Sequence, residues 1–211
     1  MRYLKLLGLA AVVAMALTAF FGAGSASATV LCTTTPAPGT ACGTGWHVDE
    51  LTLSVAPGNS LVLRSTTGSI EATCTVAGVT VTKKSTGSAT TTPVGEVPKT
   101  HLTWGPVGAG CTNTTDTVAG GELEIHWTPG TDDGTVTATG FEWTTVLAGV
   151  SCTLGLEGTK SIGELTGGSP AILHIGVAVV KKAGSFLCPS TGVWEGTYKI
   201  TNHTAVFVAE K

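Results

Sequence analysis

Residues 122–139, which read ELEIHWTPGTDDGTVTAT, decide the fold class. Leu123, Ile125 and Trp127 alternate with charged or polar residues, which is the period of a strand with one buried face. A Pro-Gly and an Asp-Gly dipeptide follow, and the chain alternates again from Thr135 to Thr139. Asp-Gly between two alternating segments is a strong hairpin signal, because both residues tolerate the positive φ angles of tight turns. The stretch therefore predicts an antiparallel β-hairpin.

Strand patterns of the same kind recur along the chain, and no segment after the first 28 residues has a sustained helical period. The chain is rich in threonine and contains 29 glycines, a composition that favours strands and turns. We therefore predict an all-β fold, an antiparallel β-sandwich of Ig-like or jelly-roll-like type, as a single domain over residues 51–211. Residues 29–50 are predicted to be an irregular lead-in, and residues 83–98 a polar segment outside the core. The predicted strands are Leu51–Val55, Leu61–Leu63, Ile70–Val76, Val79–Thr82, His101–Trp104, Glu122–Trp127, Thr135–Thr139 with a continuation through Phe141 and Trp143, Val150–Leu156, Ala171–Val180, Val193–Ile200 and Ala205–Val208.

Residues 1–28 have the pattern of an export signal. Arg2 and Lys5 form a basic start, Leu6–Phe21 is apolar, and the segment ends in Ala-Ser-Ala, a small-x-small cleavage pattern. The apolar run is short for a membrane span. We expect a secreted protein that begins at Thr29 and has no stable membrane insertion after signal cleavage.

Charge argues against polyanionic partners. The chain has 11 basic and 14 acidic residues, and Arg2 and Lys5 belong to the predicted signal, so the mature part carries a formal charge of about −5. With no basic patch, nucleic acid and anionic membrane surfaces are poor candidate partners.

The six cysteines predict disulfides, because exported thiols oxidise and no Cys-x-x-Cys pair suggests zinc. Six cysteines allow fifteen pairings, and the sequence does not choose among them. The simplest pairing joins neighbours along the chain. These pairs are Cys32–Cys42, Cys74–Cys111 and Cys152–Cys188.

Glu122, Glu124 and His126 lie on the polar face of the first hairpin strand. Two carboxylates and an imidazole on one side of a strand have the chemistry for metal binding or acid–base catalysis. The alternative interpretation, which the alternation favours, is the solvated face of an edge strand. The chain has no Gly-x-Ser-x-Gly, His-Glu-x-x-His or phosphate-binding glycine loop, so no catalytic residue, metal or cofactor is predicted.

Five tryptophans raise the possibility of sugar binding by ring stacking. Trp127 and Trp194 alternate with other apolar residues and are predicted to lie in the core. Trp46 follows a glycine-rich segment and has no apolar partner at strand spacing, so it is the surface candidate. Packing within the protein is the favoured alternative for Trp46 as well.

The C-terminal segments Phe186-Leu187-Cys188-Pro189 and Trp194-Glu195-Gly196-Thr197-Tyr198, together with the export signal and spaced cysteines, resemble a group of exported actinobacterial proteins. That group has no assigned activity, so the resemblance implies a fold and no site residues. We expect a non-catalytic extracellular module that binds envelope glycan or a surface protein. The alternative is a structural, self-associating cell-surface protein. A third hypothesis is a hydrolase or metal-binding protein that uses Glu122, Glu124 and His126.

Overall fold

The computed structural model describes residues 29–36, 48, 50–66, 71–74, 77–85, 94–97, 102–104, 117–147 and 150–210. Within these residues all regular structure is β-strand, and every strand pairing is antiparallel. The predicted all-β antiparallel class is thereby confirmed. The strands are β1 (Thr29–Cys32), β2 (Glu50–Val55), β3 (Leu61–Ser65), β4 (Glu71–Cys74), β5 (Ala77–Ser85), β6 (Val94–Val97), β7 (Leu102–Trp104), β8 (Thr117–Ala119), β9 (Gly121–Trp127), β10 (Gly134–Thr139), β11 (Glu142–Leu147), β12 (Val150–Gly155), β13 (Lys160–Thr166), β14 (Ile172–Gly184), β15 (Thr191–Ile200) and β16 (Phe207–Glu210).

Fourteen of these strands form one continuous, curled sheet. Its hydrogen-bonded ladders include a closed circuit of eight strands, in the order β15, β2, β5, β6, β9, β10, β13, β14 and back to β15. The finer prediction of an Ig-like or jelly-roll-like sandwich is not confirmed, because the pairings run through one sheet. Strands β1 and β16 form a separate two-stranded sheet.

The long hairpin of β14 and β15 belongs to two parts of the sheet. Near Ile172 and Lys199 its strands lie within the circuit. Towards their connection, β14 pairs with β12 and β15 pairs with β3. The sheet extends from there to β11 and β8 on one side and to β4 on the other. The hairpin connection therefore projects at the end of this extension.

The predicted hairpin of residues 122–139 forms as β9 and β10, with Ile125 opposite Val136 and His126 opposite Thr135. However, β9 is not an edge strand as expected, since β6 pairs with its first half. The prediction failed because β6 lies in the polar segment 83–98, whose few apolar residues conceal a strand. Backbone pairing does not require an apolar sequence, and β6 is held mainly by its two neighbouring strands.

Alternating apolar side chains from the circuit fill its interior. Leu53, Leu173 and Tyr198 are buried there together, and Trp194 packs against this core beside Phe141, with ring centroids 6.0 Å apart. A cavity among these core residues has a volume of about 20 Å³ and an apolar lining. A space of this size holds about one water molecule. Among the described residues, the circuit thus encloses a packed apolar core.

The predictions for residues 1–28 and for residues 29–50 have different outcomes. The proposed signal, residues 1–28, lies outside the described residues. The predicted irregular lead-in, residues 29–50, begins instead with strand β1, which pairs with β16. Thr29 is fully buried, and its hydroxyl accepts a hydrogen bond from the Trp127 amide at 2.8 Å. The prediction was wrong for residues 29–32 because it followed the Thr-, Pro- and Gly-rich composition of the segment as a whole, whereas Thr29–Cys32 pairs with the distant β16.

The pairing of Cys152 with Cys188 is confirmed, and it joins β12 to the segment that connects β14 and β15. Cys32 is also disulfide-bonded. Cys42, Cys111 and the side chain of Cys74 lie outside the described residues, so the other two predicted pairs remain predictions.

We expect the Cys152→Ser/Cys188→Ser variant to lose about 2–4 kcal/mol of unfolding free energy, because a crosslink over 36 residues restricts the unfolded chain. Equilibrium denaturation in urea measures this loss. Both sulfurs belong to buried residues, so Cys152→Ala/Cys188→Ala is the matched control that separates crosslink loss from hydroxyl burial. An unchanged midpoint in both variants contradicts the prediction.

The buried phenol of Tyr198 makes the free energy of unfolding decrease at alkaline pH. Its phenol is buried, and burial raises its pKa well above the ordinary value of about 10 because the phenolate is poorly solvated there. The unfolded state therefore ionises first, so this contribution to stability is complete below about pH 10 and is lost as the pH rises further.

We expect Tyr198→Phe to flatten the alkaline decline in unfolding free energy. Because Tyr3 and Tyr198 are the chain's two tyrosines, phenolate absorbance of a protein cleaved before Thr29 reports Tyr198 directly. Phenolate formation without unfolding at pH 10 contradicts the prediction.

Candidate functional site

The predicted polar site lies on the outer face of β9. Glu124 Oε2 and His126 Nε2 are 3.7 Å apart, and both side chains are about two-fifths exposed, at 40% and 38%. His126 Nε2 also lies 3.3 Å from the Thr137 hydroxyl of β10. An exposed ion pair of this kind contributes at most about 1 kcal/mol. The contact brings Glu124 and His126 together as the strand geometry predicted.

A longer polar row crosses five strands at the level of His126. In the strand register, each residue of this row lies directly opposite the next one on the neighbouring strand. The row consists of His126 on β9, Thr135 on β10, Glu164 on β13, His174 on β14 and Thr197 on β15. His174 Nδ1 lies 3.1 Å from the Thr197 hydroxyl.

The polar row has the shape of a surface and does not enclose a substrate. Among the described residues, no group of three or more His, Cys, Asp or Glu side chains is placed to hold a metal ion. Glu122, the third residue of the predicted site, is only half-buried. A catalytic acid–base pair works best in a site that excludes water, and these side chains face outward. The geometry therefore supports a solvated sheet face better than a reaction centre.

The tryptophans divide as their patterns predicted, as far as the structure describes them. Trp127 and Trp194 pack against the main core. The Trp127 indole N–H also donates to the Thr131 carbonyl at 2.8 Å, which ties the strand to its own turn. Trp46 lies outside the described residues, so its assignment to the surface remains a prediction.

The most exposed large apolar side chains lie elsewhere, on the connection between β14 and β15. We call residues 185–190 the apical turn. Phe186 is 90% exposed and its neighbour Leu187 is 64% exposed. No other large apolar side chain among the described residues is comparably exposed. Two adjacent exposed side chains of this size form a patch that needs an explanation, since isolated surface apolar residues are ordinary.

The apical turn is held in one conformation. Cys188 anchors it to β12 through the disulfide with Cys152. The Cys188 amide donates to the Ser185 carbonyl at 3.1 Å, and the Leu187 amide donates to the Ser185 hydroxyl at 3.1 Å. Gly184 enters the turn at φ +119°, where a Cβ atom would lie 2.5 Å from the Cys188 sulfur. The display of Phe186 and Leu187 is therefore preorganised.

Basic side chains stand directly behind the apolar apex. The Lys181 ammonium donates to the Ser185 carbonyl at 3.4 Å, so this charge lies against the apical turn itself. Lys182, the next residue of β14, is exposed, and its stem flanks Gly155 together with the stem of Glu142, whose charge offsets part of the lysine charge. This end of the sheet therefore combines the exposed apolar residues Phe186 and Leu187 with the positive charges of Lys181 and Lys182, which we call the lysine collar.

Val150 adds a third apolar residue at the same end of the sheet. The ladder pairs Cys152 with Gly184 in antiparallel register, so the start of β12 runs towards the apical turn. Val150, the first residue of β12, is half-buried there.

Burying Phe186 and Leu187 in an apolar environment is worth about 1.5–3 kcal/mol each, which is substantial for so small a surface.

Sequence reasoning overlooked this feature, although Phe186 and Leu187 were part of the motif behind the family resemblance. A signal was present, since the pair lies among Gly184, Ser185 and Pro189, which are turn residues.

No helix in the described part of the chain is long and apolar enough to span a bilayer. No protein-family model, curated protein or solved structure matches this chain. The functional conclusion consequently depends on the chemistry and geometry of the residues themselves.

Proposed function

We propose that the protein is a secreted, non-catalytic β-module that acts by binding, and that the apical turn is its contact surface. The observation that carries this proposal is the 90% exposure of Phe186 on a turn anchored by a disulfide. An exposed phenylalanine has an unfavourable interaction with water that burial in a partner removes. Rigidity adds to this, because a preorganised contact loses little conformational entropy on binding.

The chemistry of the apical turn favours an apolar partner over a glycan. Sugar recognition needs hydrogen-bond donors and acceptors beside the aromatic ring, whereas Phe186 is followed by Leu187. A glycan-binding role for Trp46 remains a separate hypothesis about residues outside the described part. We place the partner at the cell envelope, because the export signal and the disulfide both fit an extracellular protein.

Self-association through an unpaired strand edge has weaker support. Within the described residues, β4 and β8 end the path of paired strands in the large sheet. They have only four and three residues, and short edge strands are a common way to prevent edge-to-edge pairing. The edges therefore favour a protein that avoids self-assembly.

The proposal predicts that Phe186→Ser/Leu187→Ser weakens binding to isolated cell envelopes of the producing organism by more than about tenfold, since the apolar burial is lost. Saturation binding with labelled protein measures the affinity. Phe186→Leu is the matched control, because it retains an apolar side chain at the apex and should retain most of the binding.

Thermal unfolding of each variant provides the second control, because solvent-exposed side chains contribute little to stability. We expect the double serine variant to unfold like the unsubstituted protein. Equal envelope binding by both proteins, with the fold intact, would remove the apical turn as the contact surface.

A further inference from the structure

We propose that the apical turn binds a phospholipid surface, with Phe186 and Leu187 inserted below the headgroups and Lys181 and Lys182 at the level of the phosphates. This inference rests on the proposed function and names the partner of the same surface. It concerns shallow, reversible contact by one turn of chain.

The size of the apolar patch favours lipid over a protein partner. A phenylalanine contributes about 150–250 Å² of surface, so Phe186 and Leu187 together expose on the order of 300 Å². A stable protein–protein interface buries about 800 Å² on each partner, of which roughly 450 Å² is apolar. Ser190 of the apical turn and Thr191 of β15 are exposed polar residues, which do not extend the apolar patch. A lipid interface has no such minimum, because each apolar side chain partitions into it separately.

The hydrogen bonds of the apical turn also fit a lipid environment. Backbone amides that enter an apolar phase need partners within the protein. The Leu187 and Cys188 amides both donate to Ser185, and the Lys181 amide donates to the Ser190 carbonyl at 2.9 Å. These amides need no partner from outside, so they add no desolvation cost when the apex leaves water.

The order of side chains along the turn matches the layers of a bilayer surface. Phe186 and Leu187 are the exposed apolar side chains of the turn, and the Lys181 ammonium lies at the carbonyl of Ser185, the residue that precedes them. Lysine side chains reach back towards phosphate groups when their stems lie near apolar surface. The overall negative charge opposes binding to anionic lipid, so apolar insertion is the main attraction and the lysines act locally.

A second copy of this chain is a poorer occupant of the apical turn. A symmetric tip-to-tip dimer would bring the Lys181 and Lys182 pairs of both copies together, and like charges oppose each other. The cavity of about 20 Å³ in the circuit is also too small to accept a phenylalanine from another copy.

Flotation with phosphatidylcholine vesicles, with and without one third phosphatidylglycerol, tests the inference on the purified full protein. We expect flotation with both compositions, and a loss of more than about tenfold in the partition coefficient for Phe186→Ser/Leu187→Ser. Phe186→Leu should float almost as well as the unsubstituted protein.

A charge-matched pair of variants tests the lysine collar. Lys181→Ala/Lys182→Ala should reduce partition into the anionic vesicles by about fivefold for each lysine at low salt. Lys160→Ala/Lys199→Ala removes the same charge away from the apical turn and should reduce partition much less. Equal losses in the two variants would show that only net charge matters and would overturn the assigned position of the lysines.

The two proposals fail in distinguishable ways. Absence of flotation with both vesicle compositions overturns the lipid inference. If envelope binding is then still lost in Phe186→Ser/Leu187→Ser, the proposed function stands and the apical turn binds a protein. Flotation that Phe186→Ser/Leu187→Ser leaves unchanged overturns the inference as well, because lipid then contacts another surface.

Discussion

The pairing of β14 with β15 is the interaction on which the rest of the structure depends. It joins nine residue pairs, from Ile172 opposite Lys199 to Val180 opposite Thr191. This ladder closes the circuit of eight strands, and closure leaves those strands without free edges in the circuit. It also carries the chain beyond the circuit, where β12 and β3 flank the hairpin and the apical turn projects.

Core and surface chemistry are separated by this closure. Side chains that point inward, such as Tyr198 and Leu173, are buried in the interior, and a cavity of about 20 Å³ lies among them. These buried side chains, including the phenol of Tyr198, stabilise the fold. The candidate contact surfaces among the described residues lie on the outside, where the polar row of His126 and His174 is solvated and the apical turn is apolar.

The disulfide connects stability with the proposed function. Cys152–Cys188 links β12 to the apical turn, and the same bond restricts the unfolded chain and orients Phe186. The backbone that carries the exposed Phe186 is held by other contacts. Here the disulfide and the hydrogen bonds to Ser185 supply those contacts.

The sequence by itself determined the strand class, the hairpin of residues 122–139 and the packing of Trp127 and Trp194 against the core, and its simplest disulfide pairing included Cys152 with Cys188. These depend on local alternation, turn residues and short separation along the chain. Only the tertiary structure decided that β9 lies inside the sheet, that Thr29 is buried in a strand, and that Phe186 is exposed. Those outcomes depend on which distant strands pair, and a sequence pattern records a residue's own preference but not its neighbour in space.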